Sequence, residues 1–201
     1  MHELIKSITY FQRPGPENTS QLISVVRERI GIGDLNIVVV PSTTGKTAEL
    51  FERELGGEAE IVEISEDETA SMCKVVANRE GGLLRKLIES RLDEASRRGD
   101  PIFRRDAYDL TLLPFCGKKF DAVSNILYAF GQGMKVAIEI SIAAVETSKV
   151  KPYIEVISVG GTGQGADTAI VVRTSTQEDA FGKIANRRLS ILEIIAMPRW
   201  K

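Results

Sequence analysis

The chain has 201 residues, 43% of them hydrophobic, enough to bury a substantial core as one domain spanning residues 1–201. With 26 basic and 28 acidic residues the net charge is −2, so no global field draws nucleic acid or an anionic membrane. The one histidine, His2, stands at a terminus, and Cys73 and Cys116 are isolated, which excludes Ser-His-Asp and Cys-His chemistry and histidine-based metal sites unless the N-terminus reaches far.

No apolar run reaches the length of a membrane span, and the first residues lack a signal-peptide pattern. Two cysteines without CxxC spacing read as buried thiols in a reducing compartment. A soluble, cytoplasmic protein is expected.

Residues 7–11 alternate weakly and predict a short first strand, broken by Pro14, Gly15 and Pro16. Asn18, Thr19 or Ser20 can then cap a helix with the stripe Leu22, Val25, Val26, Arg29 and Ile30, closed by Gly31. Residues 36–40, NIVVV, read as a buried central strand that Pro41 closes. Ser42, Thr43, Thr44, Gly45, Lys46 and Thr47 follow as a loop of hydroxyls around one glycine, and the spacing of Ala48, Leu50, Phe51 and Leu55 starts a helix. A helix start carries unpaired N–H groups and a partial positive charge, which attract an anion. Lys46 opposes the helix dipole unless an anion is bound there, which favours a phosphate cradle over a merely well-capped turn. It is not a Walker A loop: GxxxxGK[ST] requires glycine at position 40, which is Val40.

Residues 60–65, EIVEIS, alternate as another strand, so the order strand, helix, strand, helix, strand predicts an α/β fold with parallel pairing. The acidic run Glu66, Asp67 and Glu68 reads as a solvated turn. Leu84, Leu87, Ile88, Leu92 and Ala95 predict an amphipathic helix ending near Gly99, with Arg97, Arg98, Arg104 and Arg105 at its end. The arginines complement a helix C-terminus more simply than they bind an acidic partner. A short strand is predicted over 108–115. Residues 120–130 look helical up to Gly131.

After Gln132 and Gly133, the stretch 134–145 (MKVAIEISIAAV) is apolar nearly all round and must be covered on two sides, by the sheet and by another helix or a subunit. This predicts a homo-oligomer, the alternative being a helix covered within one chain. Lys135 again stands near a helix start, and Glu139 reads as a paired or surface-edge carboxylate more readily than as a catalytic acid. Residues 155–174 contain two strands joined by a glycine-rich loop, GGTGQGAD. The pattern is not the dinucleotide fingerprint, since the spacing is GxGxG and a strand follows. Exposed N–H groups of Gly161, Thr162, Gly163, Gln164 and Gly165 can form an anion-binding nest. Asp167 and Thr168 can bond a ligand hydroxyl, or Asp167 can simply cap the loop. The tail at 189–197 is expected to dock as a last strand or short helix, stopped by Pro198.

Taken together, VVVPSTTGKTAELF and VISVGGTGQGADTAIVV resemble the C-terminal domain of pyruvate kinase, in which a Ser/Thr–Gly–Ser/Thr loop and a later glycine-rich loop enclose an allosteric sugar bisphosphate. The stretches FGQGMKVAIEI, VGGTGQGADTAIVV and EIIAMPR are closer still to a family of stand-alone archaeal and bacterial proteins, the pyruvate kinase alpha/beta-domain-like family. The resemblance implies a three-layer α/β/α fold with a mixed five-stranded sheet, one strand antiparallel. It also implies no pyruvate kinase activity, because the catalytic barrel is missing from so short a chain. Flavin mononucleotide (FMN) is the ligand it suggests. The residues that would hold it are Ser42, Thr43, Thr44, Gly45, Lys46 and Thr47, then Gly131, Gln132, Gly133 and Lys135, then Gly161, Thr162, Gly163, Gln164, Gly165, Asp167 and Thr168.

Two classes of function follow. The first is a binding module for a phosphorylated small molecule, FMN or a sugar phosphate. The second is a flavin-dependent oxidoreductase, for which the sequence offers no acid–base pair, nucleophile constellation or metal-ligating cluster to assign.

Overall fold

The computed structural model describes residues 5–65, 68, 123 and 125–200. Strand β1 (Thr9–Phe11) leads through a 3₁₀ turn (Pro16–Asn18) into helix α1 (Thr19–Ile30). Strand β2 (Ile37–Ser42), helix α2 (Lys46–Leu55) and strand β3 (Glu60–Ser65) follow. Helix α3 (Gln132–Glu146) precedes strands β4 (Glu155–Gly160), β5 (Thr168–Arg173) and β6 (Ser190–Pro198). The helix expected over 84–99, the strand over 108–115, the arginine cluster, His2 and both cysteines lie outside the described residues; of the helix expected over 120–130, residues 123 and 125–128 are helical and 120–122 and 124 lie outside the described residues. Of the acidic run, Glu68 is described: it accepts from the Ser65 amide at 2.9 Å and pairs with Lys149 at 2.6 Å.

The sheet is mixed, with order β1-β6-β5-β4-β2-β3. β1 runs parallel to β6, and β2 parallel to both β3 and β4, while β5 is antiparallel to β4 and β6. A single antiparallel strand agrees with the expectation. The count of five does not, since six strands pair. The sixth arises because the two ends of the sequence meet, with Thr9 opposite Ala196 and Phe11 opposite Pro198. The tail is thereby a strand.

Alternation along each strand assigns side chains to opposite faces. Val38, Val40, Ile157, Val159 and Val171 pack with Leu22, Val26, Phe51 and Leu55 of α1 and α2. Val39, Val156, Ile170 and Val172 pack with Met134, Ala137, Ile138 and Ile142 of α3. Every residue of α3 from Gly133 to Val145 is buried within the one chain, so no second subunit is needed to cover it.

Two boundaries differ from the sequence reading. Pro41 does not close β2: the strand continues to Ser42, with Pro41 opposite Ile64. The ladder from β2 to β4 covers Val38 and Val39 only, so the proline lies beyond its end, where a missing N–H costs no bond to β4. Helix α3 starts at Gln132, two residues before the apolar run, because Gly131 (φ 107°) makes the turn into it.

A charged cluster fixes α1 to β6. Arg29, 6% exposed, donates from Nε to Glu193 Oε2 at 2.8 Å and from Nη2 to Oε1 at 3.0 Å, and also pairs with Asp34. Lys6 reaches the same Glu193 carboxylate at 2.6 Å. The hydrogen bonds from Arg29 hold the Glu193 carboxyl below the usual value of 4.5. That stability is present above pH 4.5 and is lost as pH falls through the lower folded value. The site is neither exposed nor sealed, so Glu193→Gln should cost about 2 kcal/mol near neutral pH, between the limits for surface and buried pairs. Urea denaturation at pH 7 and pH 3 checks this. The gap between wild type and variant should shrink at pH 3.

Candidate functional site

In a sheet of parallel strands joined by helices, each helix runs back antiparallel to its strand. Its N-terminus therefore lies at the carboxyl end of the sheet. Here α1, α2 and α3 all start at that end, beside the carboxyl ends of β2 and β4. The chain leaves β2 toward β3 on one side and β4 toward β5 on the other, so a crevice opens between them. A cavity of about 400 Å³ occupies it, within the size range of small-molecule sites.

Four walls enclose the cavity. Pro16, Thr19 and Ser20 come from the start of α1, and Gln132 and Val136 from the start of α3. Pro41, Thr43, Thr44, Lys46, Thr47 and Leu50 come from β2 and α2. Gly161, Gly163, Gln164 and Gly165 come from the loop between β4 and β5. No side chain caps any of the three helices. At α1 the preceding 3₁₀ turn accepts from the Thr19 amide through the Pro16 carbonyl; the other first-turn N–H groups, which a helix cannot satisfy itself, lie around one volume with their dipoles pointing the same way. The lining contains one cation, Lys46, which is exposed, and no carboxylate among the described residues.

At α2 the loop is only Thr43, Thr44 and Gly45. Gly45 turns the backbone in the left-handed region (φ 81°), and its amide donates to Ser42 Oγ at 3.1 Å. Ser42 is buried and holds the turn rather than lining the cavity. A Cβ on Gly45 would meet nothing within 4 Å, so glycine is required here by its φ and not by crowding. The strand through Ser42 also leaves no length for a Walker-type wrap.

The loop at 161–167 uses its glycines differently. Gly161 and Gly165 are packed: a Cβ on Gly165 would stand 2.6 Å from Thr19 Oγ1 and 2.7 Å from Pro16 Cα, and one on Gly161 would strike the Gly165 carbonyl. Gly163 (φ 81°) has open space on that side and is exposed. Thr19 Oγ1 accepts from the Ala166 amide at 2.9 Å and donates to the Ala166 carbonyl at 3.2 Å, which ties the loop to α1. Beneath the loop, Gly160 and Gly133 touch, so a Cβ on Gly160 would collide with the Gly133 carbonyl.

Of the residues expected from sequence, Thr43, Thr44, Lys46, Thr47, Gln132, Gly161, Gly163, Gln164 and Gly165 come together around the cavity. Ser42, Gly45, Gly131, Gly133, Lys135, Thr162, Asp167 and Thr168 stand outside its lining. Lys135 is 2% exposed; its Nζ lies 3.3 Å from Glu139 Oε1 and 5.2 Å from the centre of the Tyr128 ring. Glu139, 0% exposed, is thus the paired carboxylate and not a surface-edge one. Asp167 is fully buried, and desolvation raises its carboxyl above the ordinary carboxylate range, against the hydrogen bonds of Thr168 and the Gly15 amide. Sequence reasoning missed Pro16, Thr19, Ser20, Pro41, Leu50 and Val136. Thr19 and Ser20 had the same signal as the α2 loop, hydroxyls at a helix start, and were read only as caps. Among the described residues no cluster of metal-ligating side chains occurs, and no helix is long and apolar enough to cross a membrane. No protein-family model matches the chain.

The packing predicts a graded series. Gly163→Ala adds only left-handed strain, about 1–2 kcal/mol. Gly165→Ala adds crowding against Pro16 and Thr19 and should lose about 3 kcal/mol or more, and Gly160→Ala should lose at least as much. Thermal denaturation of the three variants should rank Gly163→Ala as the mildest.

Proposed function

We propose that this chain is a cytosolic binding module for a phosphomonoester, with FMN as the first candidate ligand. The observation that carries the reading is the convergence of three uncapped helix N-termini and Lys46 on one cavity lined by no carboxylate among the described residues. The phosphate would take the α2 end, where the amides of the first turn, the hydroxyls of Thr43, Thr44 and Thr47, and the Lys46 ammonium can bond it. The apolar faces of Pro16, Pro41, Leu50 and Val136 suit a ring system. Open space beside Gly45 and Gly163 leaves room for a group to approach the backbone at both loops. When bound, FMN would supply a redox-active ring, but the lining offers no residue to which a proton transfer can be assigned.

Sequence resemblance supports the finer parts of this reading: a three-layer α/β/α domain like the pyruvate kinase C-terminal domain, without that enzyme's activity. A sugar phosphate is the second reading, favoured by the amides of Gln132 and Gln164 and the hydroxyl of Ser20, which suit a polyhydroxyl body. Self-association is part of the proposal too. With α3 covered, the surface for it is the edge where Ile8, Tyr10, Ile191 and Leu192 are exposed.

Titration calorimetry of FMN and of unphosphorylated riboflavin tests the ligand. FMN should bind far more tightly than riboflavin. Lys46→Ala should weaken FMN binding about tenfold to a hundredfold, as expected for one charge-assisted hydrogen bond, with stability unchanged. Added salt should weaken it as well. Equal affinities for FMN and riboflavin would refute the phosphate site.

A further inference from the structure

The walls of the cavity come from parts of the sequence far apart, and one buried side chain touches three of them. Asp167 Oδ2 accepts from the Gly15 amide at 3.1 Å, one residue before Pro16 enters the lining. Its Oδ1 accepts from Thr168 Oγ1 at 2.9 Å, at the first residue of β5. Its own amide donates to the Gly160 carbonyl at 3.0 Å, so the side chain stands at the closing end of the glycine loop. On the remaining side is the first turn of α3: a Cβ on Gly133 would come to 2.5 Å from Oδ1. The carboxylate therefore fills the space that the missing side chain of Gly133 leaves.

We infer that Asp167 is the positioning residue of the cavity: it sets the spacing of the glycine loop, the turn at residues 14–16 and the start of α3. It does not touch the ligand, since it is 0% exposed and stands outside the lining. Oδ2 holds the turn at Gly15 and Oδ1 faces Gly133, so the loss of the Oδ2 acceptor releases the turn that leads into Pro16. A buried amide without its acceptor is costly, and the least costly remedy is for the segment carrying it to move toward water. Gly15 lies in a connecting segment, which can move more readily than the strands and helices. The effect on binding rests on the phosphomonoester reading, but the effect on the loops does not.

Asp167→Asn keeps the shape and one acceptor while placing an NH₂ group against a neighbouring donor. Gly133→Ala reaches the same point from the other side by displacing the carboxylate. Hydrogen exchange of the Gly15 amide should accelerate about tenfold in Asp167→Asn, with the amides of β2 and α2 unchanged. FMN affinity should fall about tenfold in both variants, while the denaturation midpoint of Asp167→Asn stays near that of wild type. Wild-type exchange at Gly15 overturns the inference. So does a lowered midpoint with wild-type affinity in the folded fraction, the mark of a purely structural residue. Affinity loss without faster exchange also overturns it, because Asp167 would then act on the ligand directly. If wild type fails to bind FMN, the ligand reading fails, and the exchange rates alone decide the role of Asp167.

Discussion

The backbone N–H groups in the first turn of a helix have no partner within that helix. In this fold three such turns are set at the carboxyl end of one sheet, and no side chain caps any of them. The arrangement follows from topology: β2, β3 and β4 are parallel, so the helices beside them must run back the other way. It also has a cost, because three positive dipole ends and Lys46 are gathered around one volume. An anion removes that repulsion and supplies the missing acceptors together, which is why the geometry and the electrostatics favour the same class of ligand.

The buried cations are paired within the protein. Lys135 stands close to the α3 start, yet its ammonium is directed to Glu139 one turn further on and to the Tyr128 ring. Arg29 is held by Glu193 and Asp34 on the far side of α1. Among the described lining residues this leaves Lys46 as the cation of the cavity. A single cation with backbone donors suits a phosphomonoester, whose two charges need hydrogen bonds from several directions more than they need a second ammonium.

What could be read from the sequence was local. The β2 strand, the hydroxyl loop and α2 are contiguous, and their signals (an apolar run, a glycine, then helical spacing) are all set by neighbours in the chain. The antiparallel β4–β5 hairpin was legible for the same reason. The sixth strand was not, because β1 and β6 lie at opposite ends of the sequence and only their meeting makes Thr9–Phe11 an edge strand. Nor were the roles of the glycines. Gly45 and Gly163 serve their own backbone angles, whereas Gly160, Gly133 and Gly165 serve close contacts with distant segments that no spacing rule reveals. Lys135 and Glu139 were separated by the spacing of an ion pair on one helix face, and that signal outweighed the helix-start reading of Lys135. The α1 wall was missed because its hydroxyls were taken for caps. In the structure Asn18 donates its amide to the Arg13 and Gly15 carbonyls, and Thr19 bonds the glycine loop instead.

The central claim is that helix N-termini at this cavity bind a phosphate group. Amide chemical shifts during titration with FMN test it most directly, because they report on the N–H groups themselves. The account predicts the largest changes at Gly45, Lys46, Thr47 and Ala48, with further changes at Gly163, Gln164 and Gly165, and downfield movement of the α2 amides on hydrogen bonding. Changes confined to other surfaces, or α2 amides that stay in place at saturating FMN, would contradict it.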